Sequence, residues 1–411
     1  MSNVVRRGPF VLLCVLVVAF GTKLSAQDLS SRIIKPAADK AIGTSYSPGV
    51  LANGSLYVSG QGGRNSDGSL ATDFQQQVSQ SLRNVQSILH EAGMDFGNVV
   101  WMNIYLTDAH DVAAMNEVYW KSIGPNPPAR TVLVVAALPH GEKIEINCIS
   151  ARNTIQRRQI WPQGWPQGQH VDPPAIQADD VLYMSAQGGT NPLTGKLAVD
   201  FRGEVKQALD NVAAILKTAN MGLKNVLWVN PYMSVSGKYD VMGDIYRTYF
   251  EFGNTPGRGT IQVADLPNNN HVIFSCIAGA DLAKRKAVRP RNMLPSPTAS
   301  PGVLYGDTLY LSAKDGFIPE QGIVTPDFEL QLRQSMRNLL DGLQEADMDF
   351  ADVVFSTVYL RQINDSDRMT NLYGKFFKND FPARTTLQQT VDLNAEATEQ
   401  ISLIAVRRRK E

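Results

Sequence analysis

PARTVLVVAALPHGEKIEINCIS, residues 128–150, decides how the rest of the chain is read. Arg130 stands at the mouth of an apolar strand, Leu138-Pro139 turns the chain, and a second strand carries Glu145. The pattern returns twice. Pro256-Gly257-Arg258 leads to Leu266-Pro267 and HVIFSCIA, and Pro382-Ala383-Arg384 leads to Leu393 and EQISLIAVRR. Arg130 and Arg258 lie 128 residues apart, and Arg258 and Arg384 lie 126 apart. A period this long, read three times, is a tandem array of whole domains and not a solenoid.

Working outward, each repeat opens on a hairpin. VLANGSLYVSG sets Asn53-Gly54 between alternating apolar runs, the signal of a type I′ turn. Its counterparts turn at Asp179-Asp180 and Gly306-Asp307, and the second strands end in Ser59, Ser185 and Ser312. Helices then begin at Asp73-Phe74, Asp200-Phe201 and Asp327-Phe328, with the aspartate placed to accept the free N–H groups of the first turn. In the first helix Val78, Leu82, Val85, Ile88 and Leu89 form one apolar stripe. Asn84, Asn211 and Asn338 share a register there and are expected to serve packing or backbone bonding and not chemistry. The strands VVWMNIYL, VLWVNPYM and VVFSTVYL follow, and Pro231 marks the second as an edge or bulged strand. A second helix leads back into the opening stretch. The order per repeat is β-β-α-β-α-β-β, an α+β fold with helices on one face of one sheet.

The chain of 411 residues is balanced at 39 basic and 39 acidic residues. Residues 1–26 read as a signal peptide, with Arg6-Arg7, a short apolar run and Ala26 before the cleavage point. Its removal takes away three cations and no acid, which leaves a slightly acidic chain with no footprint for nucleic acid. A periplasmic or secreted protein without a stable membrane anchor is expected. The repeats span 31–153, 166–282 and 296–410, with linkers near 153–165 and 282–295. Trp161 and Trp165 in the first linker are expected to pack on a neighbouring repeat, with the capping of a groove as the alternative. Cys148 and Cys276 share a position where the third repeat has Leu403, so both read as core thiols, and five scattered histidines offer no metal-ligand spacing.

The hairpin ending in Ser-Gly-Gln, the DF-led helix, the PAR stretch and the closing IAVRR resemble the RidA/YjgF (endoribonuclease L-PSP) family of small trimeric proteins. The resemblance covers nearly all of residues 31–410, once per repeat. It implies three chorismate-mutase-like domains forming a pseudo-trimer, a monomer with internal pseudo-threefold symmetry and clefts at the domain interfaces. It also implies an imine/enamine deaminase that turns reactive 2-imino acids into 2-keto acids and ammonia, with no cofactor or metal. By resemblance, Arg130 binds the substrate carboxylate and Glu145 moves a proton or orients water. Ser59, Gly60, Tyr46, Asn116 and Val132 match other cleft positions. Ile273 and Gln400 stand where Glu145 stands in the first repeat, so Arg258 and Arg384 are expected in degenerate sites. One working site built on Arg130 and Glu145 follows. The alternative is a carboxylate-binding protein without turnover. RNA cleavage, which the family's older name carries, is the weakest reading for an acidic, exported chain.

Overall fold

The computed structural model describes residues 32–36, 45–378, 380–390 and 396–408. The expected signal segment lies outside them, as does Cys14. Among the described residues no helix is long and apolar enough to cross a membrane.

The first repeat runs β1 (Arg32–Ile34), β2 (Gly49–Ala52), β3 (Ser55–Gly62), α1 (Phe74–Glu91), β4 (Val99–Leu106), α2 (Val112–Ile123), β5 (Ala129–Val134) and β6 (Ile144–Ala151). Asn53 and Gly54 both take positive φ, 47° and 75°, as a type I′ turn demands. The Asp73 carboxylate caps α1 by accepting from the Gln76 N–H at 2.8 Å, and the predicted stripe of α1 is buried against the sheet. Asn84 donates to the carbonyls of Gly62 and Arg64, fixing the loop after β3, and Asn211 and Asn338 repeat this bond pattern.

The second repeat comprises β7 (Arg158–Ile160), β8 (Ala175–Ala178), β9 (Val181–Met184), β10 (Gln187–Gly188), α3 (Phe201–Thr218), β11 (Val226–Met233), α4 (Tyr239–Tyr246), β12 (Gly257–Arg258), β13 (Ile261–Gln262) and β14 (Val272–Gly279). The third comprises β15 (Arg285–Val288), β16 (Gly302–Tyr305), β17 (Thr308–Lys314), α5 (Phe328–Glu345), β18 (Val353–Leu360), α6 (Ser366–Tyr373), β19 (Ala383–Gln388) and β20 (Glu399–Val406). The three sheets share one order, β1-β2-β3-β6-β4-β5 in the first. The first and third thus have six strands where the sequence order predicted five, and the second has eight because two of its strands are split. The extra edge strands β7 and β15 pair antiparallel with β8 and β16 inside the stretches expected to be linkers, so the second and third sheets begin at Arg158 and Arg285. Three or four residues are too few to show a period, which is why these strands escaped the pattern.

Pro231 needs a second correction. β11 is not an edge, since it lies between β14 and the parallel pieces β12 and β13, and its bulge at Val226/Trp228 has counterparts in β4 and β18. A proline has no N–H to give a ladder. The parallel partner is accordingly split into β12 and β13 opposite it, where β5 and β19 run unbroken.

Each sheet buries its outer face under its own two helices and turns its inner face to the other two sheets. Tyr57, Tyr183 and Tyr310 meet with Trp101, Trp228 and Phe355 in a core drawn from all three repeats. Tyr105, Tyr232 and Tyr359 meet in a second shared core. The ring closes head to tail. Ser185 Oγ accepts from the Arg130 N–H at 2.8 Å, Ser312 Oγ from Arg258 at 2.8 Å, and Ser59 Oγ from Arg384 at 2.9 Å. The third repeat thus returns to the first, and one chain satisfies internally what three subunits would satisfy by symmetry. Cys148 and Cys276 are free and buried, as expected.

Candidate active site

The hairpin serine carries the consequence for function. It binds the backbone of the arginine in the preceding repeat, so every PAR arginine faces the last strand of the next repeat and not its own. Arg130 shares a cleft with Ile273, Arg258 with Gln400, and Arg384 with Glu145. The expected pairing of Arg130 with Glu145 does not occur, and Arg384 takes the place given to Arg130. Strand register supports the equivalences, because Glu145, Ile273 and Gln400 lie opposite Tyr105, Tyr232 and Tyr359.

The cleft between repeats 3 and 1 holds Tyr46, Gly60, Glu145, Thr370, Arg384 and Thr386 in about 230 Å³. The Arg384 guanidinium lies over the rings of Tyr373 and Tyr46, at 5.2 and 5.4 Å, and Nη2 donates to Thr370 Oγ1 at 2.9 Å. Among the described residues no carboxylate forms an ion pair with it, and burial lowers its pKa. Tyr46 thus shares a cleft with Glu145, as expected of one site, but with Arg384 and not with Arg130. Ser59 is fully buried and acts on Arg384 through the backbone, with its own Oγ–H donating to the Ser47 carbonyl. Gly60 leaves the room that Glu145 fills, since a Cβ there would overlap Oε1 of Glu145.

Glu145 is 7% exposed. Burial raises its pKa to about 8, with the neighbouring Glu142 adding to the rise, while the Thr386 N–H and the Arg384 charge pull it down. Glu142 is itself raised to about 7 by burial, against the pull of Arg64, whose Nε lies 3.2 Å from its carboxylate. At neutral pH the cleft thus presents a protonated carboxyl group facing a fixed cation. Thr386 Oγ1 is buried without a partner beside them, a free hydrogen-bonding group at the site. The sequence reading missed Glu142 and Arg64. Glu142 stands three residues after Pro139, in the turn that precedes Glu145.

The cleft between repeats 1 and 2 holds the other residues expected in the active site, Arg130, Asn116 and Val132. There Asp172 takes the Nε and Nη2 of Arg130 at 3.0 and 2.7 Å, and Asn116 takes Nη1 at 2.8 Å. Both polar edges of the guanidinium are used within the protein. Pro48, Pro174 and Pro301 each accept from their hairpin serine, which places Tyr46, Asp172 and Ala299 at one equivalent position. An internal carboxylate therefore occupies the fork of Arg130, and Ile273 offers no acid. Trp161 and Trp165 line this cleft, and Trp165 also packs on the core of its own repeat, so the expected contact with a neighbouring repeat is replaced by a groove wall.

Among the described residues no cluster of His, Cys, Asp or Glu has the form of a metal site. A family model described as Endoribonuclease L-PSP matches the chain three times, at 38–152, 166–279 and 293–406. A human 2-iminobutanoate/2-iminopropanoate deaminase is 39% identical over 130 residues, covering 31% of this chain and 94% of its own. A rat protein of the same name is 42% identical over 117 residues, 28% of this chain and 85% of its own. Among solved structures a chorismatase aligns over 75% of this chain and 93% of its own, with a TM-score of 0.56 and 13% identity, a likeness of fold alone.

Proposed function

The chain belongs to the Endoribonuclease L-PSP family, the RidA/YjgF proteins, in three tandem copies, and from that premise we propose that it hydrolyses 2-imino acids to 2-keto acids and ammonia at the single cleft between repeats 3 and 1. The observation that carries this reading is the meeting of Arg384 with the buried carboxyl group of Glu145, whose pKa burial raises, in one cleft. The names of the human and rat relatives support it.

In this mechanism Arg384 and Thr386 hold the substrate carboxylate. A guanidinium fork matches that group in shape and charge. Glu145 gives its proton to the imine nitrogen, and its carboxylate then takes a proton from the water that adds to C2. The carbinolamine so formed collapses as Glu145 gives that proton to the amine nitrogen and its carboxylate then takes the hydroxyl proton. The C–N bond breaks, the C=O bond forms, and ammonia leaves. A carboxyl group with a pKa near the working pH serves both directions of transfer. Ile273 and Gln400 have no proton to exchange in this way.

The test is turnover of a freshly generated 2-imino acid. General acid–base catalysis contributes about a hundred- to ten-thousandfold, so Glu145→Gln is expected to lose that much kcat. Arg384→Ala is expected to raise KM as well. Full activity in a folded Glu145→Gln variant would refute the assignment. We also propose export of the chain with cleavage near Gln27. N-terminal sequencing of the natural protein decides this, an intact Met1 being the contrary result.

A further inference from the structure

Among the described residues the third cleft, between repeats 2 and 3, has no internal carboxylate on its arginine and carries Gln400, not an acid, at the position of Glu145. It is a cavity of about 800 Å³ lined by Arg258, Thr260, Ala299, Lys314 and Gln400, well within the range of small-molecule sites. Ala299 stands where Asp172 closes one cleft and Tyr46 covers the other. With that side chain cut back to a methyl group, neither a carboxylate nor a ring from this position covers Arg258, which lies over the rings of Tyr239 and Tyr246.

Three features of this cavity ask for an anion. Arg258 is 8% exposed, and its Nη2 donates to Tyr239 Oη at 2.7 Å, yet Nη1 is buried with no partner. Thr260 Oγ1, two residues further along the same strand stretch, is also buried and unpartnered. Buried donors are nearly always satisfied, so two orphans on one cavity wall mark the place of a missing acceptor. Finally, Lys314 replaces the glutamine that the other repeats carry. Gln61 and Gln187 fold back onto the carbonyls of Ser59 and Ser185, at 3.3 and 2.9 Å. Lys314 makes no hydrogen bond or ion pair among the described residues, and burial brings its pKa down to about 8, with Asp315 opposing. Arg258 and Lys314 set two cations on one partly dehydrated wall, and an anion that reaches both is stabilised there.

We propose that this cleft is a second ligand site, which holds a small dicarboxylate with one carboxylate on Arg258 Nη1 and Thr260 Oγ1 and the other on Lys314 Nζ. Gln400 stands where Glu145 stands in the cleft between repeats 3 and 1, so the site binds without hydrolysis. Asp315 and Glu320 also line the cavity, and they disfavour a ligand with charge beyond the two cations. The site does not depend on turnover at the cleft of Arg384 and Glu145.

Calorimetric titration of the whole protein tests this, with glutarate as the dicarboxylate, butyrate as its monocarboxylate counterpart and inorganic phosphate as a compact dianion. A charge-assisted hydrogen bond is worth enough to favour glutarate over butyrate by about tenfold or more. Lys314→Gln restores the residue of the other two repeats. It is expected to abolish that preference while butyrate still binds. Arg258→Gln is expected to remove glutarate binding, and Arg384→Gln to leave it in place. Equal affinities for the two acids, or no glutarate binding, would overturn the proposal. So would loss of binding in Arg384→Gln, which would move the ligand to the other cleft. Phosphate that competes as well as glutarate would overturn the dicarboxylate assignment. Lys314→Glu supplies a second check in which charge reversal must repel glutarate more strongly than butyrate, as long as its melting temperature matches that of the parent.

Discussion

Glu145→Gln should stabilise the fold as it removes catalysis, and by an amount that depends on pH in a set direction. The folded-state pKa of Glu145 is about 8 against an ordinary value of 4.5. Between those values the unfolded chain has lost this proton and the folded chain keeps it. The folded state binds more protons, so the stability contributed by this group is full below about pH 4.5 and is lost as pH rises through about 8. Each unit of that window costs roughly 1.4 kcal/mol, so from pH 5 to pH 8 the wild type forfeits about 4 kcal/mol on this account. Glutamine has almost the same shape and does not titrate. Glu142 is present in both proteins and largely cancels in the comparison. Urea unfolding followed by circular dichroism at intervals from pH 5 to pH 9 should show the variant gaining on the wild type by about 4 kcal/mol, and then levelling off. A gap that stays constant across this range would mean that Glu145 is an ordinary ionised carboxylate, and the proton-donating role would fall with it.

Other outcomes follow from the remaining contacts. Arg130→Ala strands Asp172, a half-buried carboxylate whose pKa is already raised by desolvation, and should destabilise by about 1–3 kcal/mol. The double variant with Asp172→Ala should recover much of that loss in the same unfolding assay. Gly60→Ala would push its Cβ into the space of the Glu145 carboxyl. Its kcat should therefore fall by at least about tenfold with little change in helix content, and wild-type kinetics would show that Glu145 can act from another position. Light scattering at micromolar concentration should give the mass of one chain, since Ser59 and Arg384 close the ring within the molecule.

Much of this was legible in local sequence. The period between arginines sets three domains, Asn53-Gly54 sets a hairpin, Asp73 sets a helix start, and the shared place of Cys148, Cys276 and Leu403 marks a core position. These are short-range facts, decided by backbone preference and by which face of an element is apolar. The short edge strands β7 and β15 were lost because pairing with a neighbour defines them, not a period of their own. Pro231 was misplaced for a related reason. Its missing N–H is absorbed by splitting the partner strand, which the sequence of β11 alone does not report.

The candidate site divides along the same line. Sequence identified the central components, three arginines, one matching acid, and isoleucine and glutamine in its two other places, but not Glu142 and Arg64. It paired Arg130 with Glu145 because they are fifteen residues apart on neighbouring stretches of one repeat. Tertiary structure pairs Glu145 with Arg384, 239 residues away, because each arginine strand lies at the end of its sheet and docks on the next repeat's hairpin serine. The same docking sets Asp172 against Arg130 and Ala299 against Arg258. The chain's residues fix which groups are available, and the closed ring of sheets fixes which of them meet, since the edge position of the arginine strand turns it toward the next domain.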